Sequence, residues 1–449
     1  MTDTALSPIA DALLHAAKTA GADAADALIL DGTSLSIEVL NKRLEQAERS
    51  EGVDVGLRVL VGLRQACVSA SDTSPDTLRE MAERAVAMAR MAPEDPYVGL
   101  AETSQLSTLR DGDALDLKDP NGDPDPAHLE AMALEAEASA AQVDGISQVS
   151  NAGASYSRRR IHLAASNGFS GGYARSDYGV HCLAITGEGT AMERDYFADV
   201  RNHFADLMPP SEIGRIAAER TVARAGARKP PTGAYPVVYD ERISSALIGH
   251  LLAATNGMSI ARGSSWARDL LGEQVLPKGL DLIEQPRRPR TSGSRPFDAE
   301  GLPTADRSIV ADGVLQGWTL DLATARKLGL ASTANASRGI GGPPSPSNGN
   351  MWLTAGQLDR GGLLAEMGTG LLITSMIGSS INATTGDYSR GASGFWVENG
   401  EITYPVNECT VAGNLRDMLR VIVPANDARP HLSRVVPSLL VEGMTIAGA

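Results

Sequence analysis

The amino-acid sequence predicts an α+β fold: two N-terminal helix–four-strand–helix layers followed by a larger, mostly β C-terminal domain. Three observations predict it. The order helix, four strand-like stretches, helix occurs twice in the first half of the chain. Two Pro-rich connectors, 92–126 and 227–236, punctuate the pattern. Beyond them short β-type runs and Gly turns dominate, as in GFWVENGEITYPV (394–406) and RVVPSLLVEGMTIAG (434–448). At roughly 150 residues per domain, 449 residues make three domains, bounded at 1–115, 116–228 and 229–449.

The first helix is expected from Pro8 to Thr19, with Ile9, Leu13 and Ala16 at helical spacing and Gly21 beyond its end. Strands are expected at 27–31, 34–40, 53–62 and 65–71; Leu35, Ile37 and Val39 alternate with polar neighbours, the period of a half-buried strand. A helix follows from Pro75 to Met91, with Ser74 as N-cap and Pro75 at its first position. The second layer repeats the order: a helix from Ala127 to Gln142, strands near 146–155, 159–166, 172–186 and 190–201, and a helix near 211–225. The third segment opens with the helix ERISSALIGHLLAATNG, capped by Asp240 and ended by Gly257, with Ile243, Leu247, Leu251 and Ala254 as its apolar stripe. Asn399-Gly400 is a hairpin signal.

Composition excludes several functions. Hydrophobic residues at 43% and charged residues at 21% are those of a globular chain, not a disordered one. The balance of 40 basic against 55 acidic residues leaves a net charge of -15. That argues against nucleic acid and anionic membranes as partners. Aromatics at 4% argue against a protein that binds by base stacking. Cys67, Cys182 and Cys409 are few and far apart, with no C-x-x-C pair, so neither a disulfide framework nor a zinc finger is expected. The N-terminus has an early acid and no basic run, so no signal peptide is expected. The longest uncharged run, Gly368 to Gly386, is too rich in Gly, Ser, Thr and Asn for a membrane span. A cytoplasmic location follows as the expectation.

Local motifs yield little chemistry by themselves. Gly168-Phe169-Ser170-Gly171-Gly172 fits G-x-S-x-G, but strands flank it on both sides, so it reads as a hairpin turn rather than a nucleophile elbow. Gly339-Ile340-Gly341-Gly342 runs into Pro343 and Pro344, so no helix start can aim N–H groups at a phosphate. His181 and Cys182 are neighbours on a strand and point to opposite faces. His250 flanks the apolar stripe of its helix without a second His, or a Glu past Glu241, to share a metal.

The C-terminal strings are more specific. They are FDAEGLPT (297–304), DGVLQGWTLDLATARKLGLASTANASR (312–338), PSNGNMWLTAG (346–356), TGDYSRGASGFWVENGEITYPVNECTVAGNLRDML (385–419) and PSLLVEGMTIAG (437–448). With GVDVGLRVLVG near the N-terminus, they resemble the TldD/PmbA family, once called modulators of DNA gyrase, and most closely its PmbA (TldE) branch. The resemblance implies a cytoplasmic heterodimeric metalloprotease that digests unfolded peptides, matures a peptide-antibiotic precursor and degrades a labile antitoxin. In that family the TldD-type subunit holds zinc with H-E-x-x-x-H on a helix, just before a Gly-Ser-Ser stretch, and with a Cys near its C-terminus.

This chain departs from that pattern twice. The helix before Gly263-Ser264-Ser265 reads ALIGHLLAATNG, and no H-E-x-x-x-H occurs anywhere. No Cys follows Cys409, which sits in NECTVAGNL. The resemblance therefore implies the non-catalytic subunit, with no catalytic or metal-binding residue of its own, zinc only in a TldD-like partner, and a role in closing the chamber and binding peptide. Groove-lining candidates are His250, Tyr388, Ser389, Arg390, Phe395 and Trp396, with the Gly-flanked strand around Phe395 offering main-chain groups to a peptide. Two alternatives stay open: a homodimeric peptide-binding or chaperone-like protein without proteolysis, and an enzyme with a relocated metal at His162, His181 or His203.

Overall fold

The computed structural model describes residues 6–449; residues 1–5, the head of the stretch expected to carry no signal peptide, lie outside the described residues. Helix α1 (Ser7–Thr19) buries Ala10, Leu13 and Ala17. Strands β1 (Ala24–Leu40), β2 (Arg43–Val61) and β3 (Arg64–Ala70) follow, then α2 (Pro75–Met91). Ser74 caps α2, its Oγ accepting from the Thr77 N–H at 3.4 Å. The second layer runs α3 (Pro126–Ala141), β4 (Ile146–Ala165), β5 (Ser170–Thr186), β6 (Glu193–Arg201) and α4 (Pro210–Val222).

Each layer thus has three long strands where four shorter ones are expected. Asp31-Gly32-Thr33 reads as a break, yet Gly32 pairs with Gly52 on one side and Arg159 on the other. Pairing on both edges holds the strand through the glycine. The polar run 43–52 lacks the alternation that marks a strand, but it pairs with β1 across a tight turn at Asn41 and Lys42, both at positive φ. Likewise β4 is continuous where a gap at 156–158 is expected, because Tyr156 to Arg158 pair with both β1 and β5.

The two layers share one six-stranded sheet in the order β3-β2-β1-β4-β5-β6, joined where β1 pairs antiparallel with β4. Ala25, Ala27 and Ile29 enter the core under α1 and α2, whereas Leu35 and Ile37 enter the core under α3 and α4. These residues share parity on one strand, so both helix pairs cover the same face. The opposite face carries Asp26 and Arg58 and meets the C-terminal region. Strands β3 and β6 are the sheet's edges.

A strand, β7 (Gly233–Tyr239), precedes the helix expected to open the C-terminal region, α5 (Glu241–Ala254). Beside β7 lies Gly370–Ile381, running parallel to it, and then Asp387–Glu398 and Glu401–Asn414 in antiparallel order. Glu401–Asn414 also pairs with Leu439–Ala447, which pairs with β7. The ring of strands therefore closes on itself, and α5 packs against it with Leu247, Leu251 and Ala254 in the largest core. Asn399 and Gly400, both at positive φ, form the predicted hairpin turn. Short strands at Leu282–Glu284, Arg307–Ala311, Val314–Leu315, Met351–Leu353 and Arg434–Val435 make a second, small sheet. Among the described residues no helix is long and apolar enough to cross a membrane.

Candidate functional site: the α5 wall and its cleft

The side chain of Asp240 starts α5, accepting from the Arg242 N–H. Arg360 and Arg242 pair with the same carboxylate. The helix stops at Ala254, three residues before the expected Gly257, because the Asn256 side chain starts a new short helix, Gly257–Ala261. Ser265, of the Gly-Ser-Ser stretch, is buried and donates to the Ala254 carbonyl, fixing the turn to the helix end.

His250 lies half-buried on α5, its ring edge-on to Tyr388 with 5.7 Å between centroids. Its Nε2 is buried with no hydrogen-bond partner among the described residues. Burial first, and then the positive charge of Arg390, pull its pKa down to about 4, so the ring is neutral near pH 7. Tyr388 is buried in turn, its hydroxyl 3.5 Å from that of Tyr239 and 3.3 Å from the Met376 sulfur. Histidine and two tyrosines thus form a row between α5 and the ring of strands. Arg390 is half-buried and its Nε donates to the Gly378 carbonyl at 2.8 Å. Ser389 is half-buried within the ladder, opposite Ser380 and Ala412.

Phe395 and Trp396 sit elsewhere. Trp396 is 2% exposed and packs edge-on against Tyr235 at 4.9 Å. Phe395 faces the other way, onto the core under the helix Arg360–Met367. Both edges of this stretch are taken, with Phe395 paired to Leu372 and Pro405, and Trp396 to Leu371 and Tyr404. Strand addition at the Phe395 stretch is therefore corrected: an interior strand in a closed ring has no free main chain to offer. Gly394 is required there, since a Cβ would collide with the Leu372 carbonyl.

The candidate chemistry elsewhere is dispersed. His181 pairs with Glu38 at 3.3 Å, His203 with the Asp116 main chain at 2.9 Å, and His162 lies 3.2 Å from Ser170. Cys182 and Cys409 are buried, which pushes their thiols up to about 12 and about 11. The Cys409 Sγ donates to the Ala392 carbonyl inside the ring. Ser170 follows the turn between β4 and β5, so G-x-S-x-G is the predicted hairpin. Gly339–Gly342 is a loop laid on β2, with the Ile340 carbonyl over Gly56. Among the described residues no three of His, Cys, Asp and Glu converge to hold a metal ion. On α5 itself, His250 has neither a second imidazole nor a carboxylate on the same face, so the donors of a hydrolytic zinc do not assemble there.

A cleft of about 670 Å³ lies beside this wall, between α5 and β6. Ile243 and Ala246 of α5, Thr374 and Met376 of the ring, and Asp195 and Tyr196 of β6 line it. Arginines also line it, and nothing in their scattered sequence positions marks them: Arg194, Arg242, Arg390 and Arg434 come together only in the fold.

A shared sheet under two helix pairs, followed by a closed ring of strands walled by α5, is the scaffold of this chain. Three domain models match it along the chain: PmbA/TldA metallopeptidase domain 1 over residues 25–89, the central domain over 119–225 and the C-terminal domain over 232–448. The metalloprotease PmbA of Escherichia coli O157:H7 is 36% identical over 95% of this chain and 92% of its own length. The PmbA homolog of Haemophilus influenzae is 36% identical over 96% of this chain and 94% of its own. A crystal structure from Bacteroides thetaiotaomicron, named a candidate modulator of DNA gyrase, superposes with a TM-score of 0.91 at 28% identity, covering all of both chains. TldE of Thermococcus kodakarensis shares the fold, with a TM-score of 0.84 at 19% identity over 98% of this chain and 99% of its own. The chain belongs to the TldD/PmbA family.

Proposed function

We propose that this chain is the TldE/PmbA-like, non-cutting subunit of a cytoplasmic, heterodimeric metalloprotease that degrades or processes unfolded peptides. The observation that carries this reading is the state of α5. Its one imidazole packs against Tyr388 and is held neutral, and among the described residues no second ligand or proton-managing carboxylate stands beside it. A hydrolytic zinc needs at least three converging protein ligands and a group to manage the water's proton. The α5 face instead supplies a wall and a cleft. Placed against a TldD-like subunit that holds the zinc, such a wall closes a chamber that admits extended chains and excludes folded ones.

The test is co-expression with a TldD-type relative that carries H-E-x-x-x-H. The two should co-purify, the pair should contain zinc and cleave a casein-type unfolded substrate, and this chain alone should leave that substrate intact. Chelator-sensitive turnover by the lone chain would overturn the reading. A homodimer that binds unfolded peptide and ignores the relative would replace it with the chaperone-like alternative.

A further inference from the structure

The arginine-lined cleft continues beyond α5. A second cavity of about 260 Å³ adjoins it, sharing Tyr196 and Arg242 with it, and touches consecutive β6 residues from Tyr196 to Arg201 and Asn202 just beyond. Alternate residues of a strand face opposite sides of the sheet. Phe197 faces α3 and α4, while Tyr196 and Val200 are exposed on the other face. A space that touches both sets lies along the strand's edge. Among the described residues that edge is open: β6 pairs with β5 on one side and with no strand on the other. At Asp195 the N–H donates to the Thr221 hydroxyl, and the carbonyl accepts from it. The same hydroxyl donates to the carbonyl of Ala184, the residue opposite Asp195 on β5, so the main chain of Asp195 faces β5 and its neighbours in the strand face the outer edge. By the two-residue period of an antiparallel ladder, the main-chain groups of Tyr196, Ala198 and Val200 point to the outer edge, where the Tyr196 N–H donates to the Asp195 side chain. Among the described residues the main chains of Ala198 and Val200 make no hydrogen bond outside the strand ladder.

The charge along this trough runs against that of the molecule, whose net is -15. Its carboxylates are already matched: Asp177 to Arg175, Asp199 to Arg201, and Asp195 to Arg242 and Arg224. Arg194, Arg220, Arg390 and Arg434 face the trough with no carboxylate at ion-pair distance among the described residues. Arg220 lies over the Phe197 ring at 4.7 Å, and Arg434 stands over Gly249 of α5. A second observation points to a polar ligand. Thr374, 4% exposed, lines the cleft, and its hydroxyl has no hydrogen-bond partner among the described residues.

We infer that this trough binds an extended acidic peptide segment, which pairs with the open edge of β6 while its carboxylates meet the unmatched arginines. Edge pairing supplies register-independent main-chain hydrogen bonds, and the arginines supply selection for acidic side chains. The inference adds a charge class to the peptide-handling role proposed above. It is tested on this chain alone by binding, so its failure is distinct from a failure to cleave in the pair.

The experiment measures fluorescence anisotropy of a labelled nine-residue oligoglutamate peptide, one residue per position of β6, with the full-length chain. Binding that weakens as salt rises is expected. Arg434→Gln and Arg390→Gln are each expected to weaken it about tenfold, the scale of one charge-assisted hydrogen bond. The same peptide with alternate amides N-methylated keeps its charge and loses strand pairing; it should bind at least about tenfold more weakly on the same scale. This arm needs no protein variant, so it stands even where a substitution disturbs folding. No binding of oligoglutamate, equal binding of oligolysine, or equal binding of the N-methylated peptide would each overturn the inference.

Discussion

Arg338 and Asp26, 312 residues apart in the chain, form an ion pair closed off from solvent, with their side chains 0% and 3% exposed. Arg58 on β2 joins the same carboxylate through its Nε at 2.7 Å. Burial alone would raise the Asp26 carboxyl; the two guanidinium groups outweigh it and hold the carboxyl below its ordinary value. This is one of the points where the C-terminal region is bolted to the helix-free face of the N-terminal sheet.

Breaking that bolt from one side leaves a buried charge without its full complement. Removing one partner of a buried pair costs about 3–5 kcal/mol. Asp26→Asn, which leaves Arg58 and Arg338 facing a neutral amide, is expected to fall in this range, read as a shift in the urea unfolding midpoint. Arg338→Ala should cost less, since Arg58 stays on the carboxylate. An unshifted midpoint for Asp26→Asn would show that the pair does not fasten the two regions.

Glu300 lies nearby, buried, its Oε2 accepting from the Leu322 N–H at 2.8 Å. Burial first, and then Asp298, push its carboxyl up to about 8 from an ordinary 4.5. The folded state thus holds a proton that the unfolded chain releases. Stability should fall as pH rises from about 4.5 to about 8 and level off above that window. Glu300→Gln removes the proton and should flatten this limb. Unfolding curves at a series of pH values check it; an unchanged slope in the variant would place the titration elsewhere.

His250 titrates in the opposite sense. Its folded value of about 4 lies below the ordinary 6.5, so the unfolded state binds the proton first. Stability should decline as pH falls from 6.5 through about 4. In an NMR titration its Cε1–H shift should stay flat from pH 8 to 6 and move only near 4. A midpoint at 6.5 would mean that the ring is open to water and not sealed on Tyr388.

Trp396 is a core residue in this fold. Truncation of a buried Trp costs about 3–5 kcal/mol, so Trp396→Ala should lower thermal stability sharply. If the variant kept its melting temperature and lost only peptide binding, the side chain would have to line a groove after all.

Local signals were legible where short-range chemistry decides the backbone. Ser74 and Pro75 marked the start of α2, and its predicted span from Pro75 to Met91 is the observed one. Asp240 marked the start of α5, and Asn399-Gly400 marked a hairpin. The stretch around Gly32 and the polar run 43–52 were not legible as strand, because there the neighbouring strands supply the regularity.

The sequence by itself determined the helices of the two N-terminal layers, the caps and turns, and, through its long C-terminal strings, the family. Those depend on residues within a few positions of one another, or on whole motifs that need no partner. Only the tertiary structure decided that two helix–strand layers share one sheet, that the Phe395 strand is interior while β6 is an open edge, and that Arg194, Arg220, Arg390 and Arg434 meet along it. An arginine carries no local mark of the groove it will face; its role is set by which carboxylates the fold leaves near it, and that is a property of contacts far apart in the chain.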